Sequence, residues 1–345
     1  MCVRRSCPGR KRIGPGWRHC KQPTRRRKRA WRWTNLEFLM ADFRIAIIGL
    51  GVTGTSLGLA LKKASAELRI TGHDRQPAAA AAAHKAGAVD RTQWNLPAAC
   101  DGADLVILAL PMEGVRETLA VIGPALKAGC LVTDTAPVKA PVLAWAEESL
   151  PREVSFVGGD PVGARGRRLS PSAEMFRDTV YCLCPGARAP AGAIDRAADL
   201  AQAVGARPRF FDAVEHDGLA AALDQLPVML SLAALRAMSD SPAWREIVTL
   251  GGGRFLQLLM AQGGTATEGV EVAAANREQV DRWLAAAQDA LQDLRDLLAA
   301  APEERQASLA RLQEAREAWD RGDTTAPQPK TDYRGVGVRR LFGLR

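Results

Sequence analysis

Three glycines spaced as Gly49-Leu-Gly51-Val-Thr-Gly54 lie between a short apolar run, Arg44–Ile48, and a stretch with helical spacing, Thr53–Ala64. In a strand–turn–helix setting the first glycine permits the tight turn. The second lets the backbone approach a pyrophosphate, and the third lets helix and strand pack closely. Val52 and Thr53 then open a helix whose free N–H groups and positive dipole end meet the anion. A second strand, Leu68–His73, ends at Asp74, twenty residues after Gly54, where a carboxylate can hydrogen-bond the adenine ribose hydroxyls. An acid there disfavours a 2′-phosphate, so NAD is the expected cofactor, and Arg75 next door leaves NADP open. Three further positions could do chemistry. Asp160 follows Gly158-Gly159 at a strand end, where backbone faces the crevice of an open α/β sheet. As a base it needs burial to raise its pKa from about 3.9 toward neutrality. His216-Asp217 opens a helical region: His216 is a candidate to touch substrate or cofactor, and Asp217 more often caps a helix. Lys139, near a helix start, reads either as a ligand contact or as a surface lysine.

These residues need a scaffold, and strand–helix alternation supplies one. Ala103–Leu110 holds a continuous apolar run from Leu105, ending at Pro111, the pattern of a strand buried on both faces. Helical spacing over Pro77–Ala86, Gly114–Ile122 and Val138–Ser149 alternates with strands at Cys130–Asp134, Val154–Gly158, Thr179–Cys184 and Pro208–Asp212. The expected fold is an α/β Rossmann domain, a doubly wound and mostly parallel sheet, over residues 41–212. Residues 213–320 read as an all-α helical domain, broken near Ser239–Pro242, Gly251–Gly253 and Gly263–Gly264. Its longest predicted helix, Val272–Ala300, aligns Val280, Leu284, Leu291, Leu294 and Leu298 on one stripe, either core or the interface of a homodimer.

Composition narrows the partners. Of the 47 Lys and Arg residues, 13 fall in residues 1–40 against the single acid Glu37, which leaves 34 basic and 37 acidic residues in 41–345. The body is therefore mildly acidic, and no nucleic acid is expected as partner. No uninterrupted apolar run approaches the ~18–20 residues of a membrane span. The seven cysteines include no C-x-x-C pair, so no metal site is expected and a reducing cytoplasm fits best. Residues 1–40 allow three readings: a nucleic-acid-binding arm around Arg25–Arg29, a transit peptide, or upstream GC-rich DNA read as protein before a start at Met40. Each implies disorder. The tail, 321–345, ends in Arg339, Arg340 and Arg345, read as a solvated end.

Hydroxyisobutyrate-type dehydrogenases share the glycine opening, but their Met-rich loop and later catalytic lysine are not found in that form. From about Phe43 to Leu298 the chain resembles the prephenate/arogenate dehydrogenase family of tyrosine biosynthesis. The resemblance rests on Gly49–Gly58, Ala103–Pro111, Val132–Lys139, Phe156–Gly163, Glu215–Pro227 and Asn276–Glu278. It implies a Rossmann domain followed by a helical dimerisation domain, and oxidative decarboxylation. In that reaction hydride passes to nicotinamide, a histidine takes the hydroxyl proton, and CO2 loss makes the ring aromatic.

The same resemblance marks departures. The family's Gly-Gly-His-Pro is Gly158-Gly159-Asp160-Pro161 here, which puts Asp160 at the base position. A serine supporting that histidine is Pro137, and two later histidines are Gln225 and Val228. The substrate-binding arginine falls at Met260, with Arg254 nearby as a displaced substitute, while Arg165, Arg167 and Arg168 are either replacement cations or a solvated loop. Losing buried charge-assisted contacts typically costs ~2–5 kcal/mol each, which disfavours the dianion prephenate more than arogenate. Three readings follow: a dehydrogenase of this type, an NAD-binding homologue without catalysis, or a dehydrogenase for a less anionic substrate.

Overall fold

The computed structural model describes residues 43–163 and 170–322. The basic arm, the arginine trio Arg165, Arg167 and Arg168, and the terminal cluster Arg339, Arg340 and Arg345 lie outside the described residues. In chain order the elements begin β1 (Arg44–Ile48), α1 (Val52–Ala64), β2 (Arg69–His73), α2 (Pro77–Lys85), β3 (Arg91–Thr92) and α3 (Leu96–Cys100). They continue with β4 (Leu105–Leu108), α4 (Met112–Ile122), β5 (Leu131–Asp134), α5 (Ala140–Ser149), β6 (Ser155–Asp160), β7 (Val180–Pro185), α6 (Ala191–Ala203) and β8 (Arg207–Phe210). Every described element after β8 is helical: α7 (Ala213–Ala220), a π-helical turn (Ala221–Gln225), α8 (Leu226–Ser239), α9 (Trp244–Leu250), α10 (Gly253–Leu259), a short 3-10 turn, α11 (Ala266–Ala275), α12 (Arg277–Ala299) and α13 (Pro302–Arg321).

The sheet order is β3-β2-β1-β4-β5-β6-β7-β8. All neighbours are parallel except β6 and β7. The described residues between Asp160 and Val180 contain no helix, and an antiparallel return needs no crossover helix. Strand order reverses between β1 and β4, and the crevice at the carboxyl ends of such strands is where open α/β sheets bind ligands.

Alternation along the strands sorts the core into two layers. Ile45, Ile47, Leu105, Ile107 and Leu131 face one side with Leu57, Leu61, Ala197 and Leu200 of α1 and α6. Ala46, Ile48, Val106, Leu108 and Val132 face the other with Val115, Leu119, Ile122 and Val142 of α4 and α5. In α4, Val115, Leu119 and Ile122 are all fully buried at helical spacing, and each such side chain contributes roughly 1.5–3 kcal/mol.

Three elements have no counterpart in the sequence reading. β3 spans two residues, and α3 is one turn held by the Asn95 side chain, which accepts from Ala98 N at 3.0 Å. α6 is so rich in Ala that Ile194 and Leu200 alone mark its apolar face. The predicted helix Val272–Ala300 is corrected as well: it breaks at Asn276, whose φ of −118° and ψ of 29° end α11. The leucine stripe divides accordingly. Val280 is buried and Leu284 packs beside it, whereas Leu291, Leu294 and Leu298 are exposed.

Helices α7 and α8 run on through the π turn as one 27-residue helix, Ala213–Ser239, which holds an 18-residue window of mean hydropathy 1.6. By length and composition it matches a membrane span, which the search for uninterrupted apolar runs misses. It carries His216, Asp217 and Gln225 buried against the rest of the chain.

Candidate active site

The glycine turn has the geometry its sequence requires. Gly49 has φ +91°, a left-handed conformation open to glycine. A Cβ on Gly54 would stand 1.9 Å from the Gly49 carbonyl oxygen, so only hydrogen lets α1 come this close to the turn. A Cβ on Gly51 would meet nothing within 4 Å. The backbone at Gly51 is thus bare toward the crevice, as a pyrophosphate cradle needs. Asp74 is fixed beside it: its carboxylate accepts from Leu50 N at 2.7 Å and from Gln76 N at 2.8 Å. Carboxylate oxygens have lone pairs beyond those two bonds, so the ribose hydroxyls can still be received. These residues fit a dinucleotide.

A cleft of about 420 Å³ opens from this turn across the switch point. It is bounded by Val52 and Thr53, by Ala109–Pro111 after β4, by Thr135 after β5, and by Pro161 after β6. Met175 and Phe176 also line it, as does Glu268 at the start of α11. Thr135 falls inside the Val132–Lys139 segment without standing out from it, and the spacing of Glu268 from Thr265 reads as a helix capping box rather than as a ligand contact.

Directly behind Pro161 lies a buried string of charged groups. His216 Nδ1 is 2.9 Å from Asp217 Oδ1, and Nε2 is 3.2 Å from Asp160 Oδ2. All three side chains are buried. Asp217 is held from the other side, where its two oxygens accept from Lys139 N at 2.6 Å and Ala140 N at 2.8 Å. The capping expected of Asp217 therefore occurs on a distant helix, α5, while Asp212 caps α7 itself through Val214 N. Asn276 closes the string, donating through Nδ2 to Asp217 O and to Gln225 Oε1, both at 2.8 Å. That inward reach is why α11 ends where it does.

Lys139 is corrected by the structure. It is fully buried, with its ammonium against Asp134 and donating to Gly159 O at 2.7 Å. Asp134 also accepts from Gly159 N at 3.0 Å and Ala136 N at 2.9 Å. The pair braces the turn before α5 and the end of β6, and Lys139 is neither a surface residue nor part of the cleft lining. No sequence signal separates it from an ordinary helix-start lysine.

Residues 57–209 match the family model described as the nucleotide-binding domain of prephenate dehydrogenase. The likeness to that family's nucleotide-binding domain covers a little under half of the chain. The chain is 29% identical over 188 residues to a cyclohexadienyl dehydrogenase of Zymomonas mobilis, covering 54% of this chain and 64% of that protein. It is 30% identical over 189 residues to a prephenate dehydrogenase of Bacillus subtilis, covering 53% and 50%. The match thus spans about half to two thirds of these relatives. The fold is similar to the Aquifex aeolicus prephenate dehydrogenase in complex with hydroxyphenyl propionate and NAD+, at TM-score 0.72 and 19% identity, covering 82% of this chain and 99% of that one. It is also similar to the Synechocystis arogenate dehydrogenase, at TM-score 0.65 and 23% identity, covering 81% and 99%.

Within this fold the positions that depart from the resemblance lie as follows. Gln225 is buried in the π turn, and its Nε2 has no partner among the described residues. Val228 packs under Gly269 of α11. Met260 is 78% exposed, and Arg254 is exposed on α10 outside the cleft lining.

His216 is held far above the ordinary histidine value, at about 10. Burial works against the cation, but Asp160, Asp217 and Cys182 outweigh it. A raised folded-state pKa stabilises the protein fully below the unfolded value of about 6.5, and that stability drains away as pH rises toward 10. Thermal unfolding followed from pH 6 to 10 is expected to show a steeper decline in the wild type than in His216→Gln. Parallel curves would contradict an imidazolium between the two carboxylates.

Proposed function

We propose that the chain is an NAD-dependent dehydrogenase of the prephenate/arogenate type, performing oxidative decarboxylation of a cyclohexadienyl substrate in tyrosine biosynthesis. The observation that carries this reading is the Asp160–His216–Asp217 string at the end of β6, one residue behind a cleft that begins at the dinucleotide turn. Bound NAD supplies the hydride acceptor. Asp160 takes the proton of the ring hydroxyl as hydride leaves the same carbon. It returns that proton to the ring oxygen when CO2 departs and the ring becomes aromatic. His216 balances the carboxylate charge, and Asp217, pinned by α5, sets the imidazole's orientation. Gln225 offers its Nε2 donor to a substrate oxygen, with Oε1 steadied by Asn276. The four body cysteines are buried free thiols, in keeping with a cytoplasmic enzyme.

The substrate preference follows from charge. Among the described residues lining the cleft the charged one is Glu268, and Asp160 lies behind it. Acids in these places favour arogenate, whose ammonium offsets one carboxylate, over prephenate. They also favour the second reading, a less anionic substrate or a homologue without turnover.

Purified protein supplied with NAD is expected to oxidise arogenate faster than prephenate. Asp160→Asn is expected to cut turnover by about 10²–10⁴-fold, the usual scale for a general base, with NAD affinity kept. NAD binding with no turnover on arogenate, prephenate or a panel of hydroxy acids would instead establish the non-catalytic homologue. In the same preparation light scattering is expected to give the mass of two chains. The support for a homodimer is the apolar surface of the helical segment, where Leu250, Met260 and Leu298 are 83%, 78% and 79% exposed.

A further inference from the structure

Trp94 is the most exposed large hydrophobic side chain among the described residues, at 86%. It stands where the parallel register of β2 and β3 runs out. Thr71 pairs with Arg91 and Gly72 with Thr92. The register is then carried on by Gln93 N donating to Gly72 O at 2.9 Å and by the His73 Nδ1 contact with Gln93 O at 2.9 Å. Continuing that register by one step sets Trp94 opposite Asp74, in the bend that leads from β3 into α3.

Both neighbours of Trp94 in sequence are anchored. Gln93 is tied to β2, and Asn95 caps α3. The backbone under the indole is therefore fixed while the ring stands in solvent. An apolar ring of this size, left open on a well-anchored segment, gains most by covering another flat apolar surface. The pyrophosphate is placed at Gly51 and the adenine ribose at Asp74, so the base of the dinucleotide is the flat group that continues outward from Asp74.

We propose that Trp94 is the platform on which the adenine of the dinucleotide stacks. The inference rests on the nucleotide-binding reading of the glycine turn, and it gives the adenosine half of the site an apolar contact in addition to the hydrogen bonds of Asp74. Stacking depends on ring area and is indifferent to the redox state of the nicotinamide.

The test is calorimetric titration of the full chain and of Trp94→Ala and Trp94→Phe with NAD+ and with ADP-ribose, which lacks nicotinamide. Trp94→Ala is expected to weaken both ligands by about 5- to 100-fold, the range for alanine in place of a base-stacking aromatic. Trp94→Phe should retain most of the affinity, and all three proteins should melt alike because the side chain is exposed. Addition of ADP-ribose should quench tryptophan emission in the wild type, and this quench should be lost in Trp94→Phe. ADP-ribose affinity unchanged in Trp94→Ala would overturn the proposal, as would an equal loss in Trp94→Phe. If the wild type bound neither ligand, the nucleotide reading of the glycine turn would fall, and the platform with it.

Discussion

Lys139→Met is expected to be among the most damaging single substitutions in this protein. The ammonium and the Asp134 carboxylate are both completely buried. Removing one partner leaves a carboxylate in the interior with the two backbone N–H groups of Ala136 and Gly159 as its remaining contacts. Stranding a buried charge costs about 3–5 kcal/mol, which corresponds to a fall in melting temperature on the order of 10 °C for a domain of this size. The double variant Asp134→Asn/Lys139→Met should recover part of the loss, because the uncompensated charge is gone. A double-mutant cycle by thermal or urea unfolding measures the coupling. Additive losses, or a single variant as stable as the wild type, would show that the pair does not brace this turn. Since Gly159 precedes Asp160, the same variant should also disturb turnover.

Gly51→Val and Gly54→Val are expected to fail in opposite ways. At Gly51 a side chain meets open space, and the backbone there, φ −67° and ψ −165°, lies in a region any residue adopts. Gly51→Val should fold with a near-normal melting temperature yet lose dinucleotide affinity by at least about 100-fold, or roughly 2.7 kcal/mol. The methyl groups would occupy the space the pyrophosphate needs. At Gly54 the added Cβ collides with the Gly49 carbonyl. That strain is in backbone, which cannot swing aside, so Gly54→Val should lose several kcal/mol of stability, in the range of severe core defects. Calorimetric titration alongside thermal melts distinguishes the two. Normal NAD binding by Gly51→Val would remove the cradle from this turn.

The sequence by itself determined the local features: the Gly49–Gly54 turn, Asp74 at the end of β2, and most of the strands and helices. These depend on residue type and short spacing. Glycine reports a positive φ or a close approach wherever it is required, and apolar alternation reports which strand is buried on both faces. The resemblance to the family likewise rests on contiguous motifs, and it put Asp160 at the base position. Only the tertiary structure decided how the site is wired. His216 and Asp160 are 56 residues apart in the chain, and no periodicity links a strand end to a helix so far along. Asp217 was legible as a cap, but its helix, α5, was not, because capping a distant helix leaves no spacing to read. Lys139 looked like a helix-start lysine until its ammonium was found against Asp134. Asn276 looked like the interior of one long helix, yet its side chain turns inward to hold Gln225 and the Asp217 carbonyl, and the helix breaks to allow it. Local geometry is written in neighbouring residues. Burial of charge is a property of everything packed around it, so the chemistry of Asp160 and His216 could be named from the sequence but not weighed.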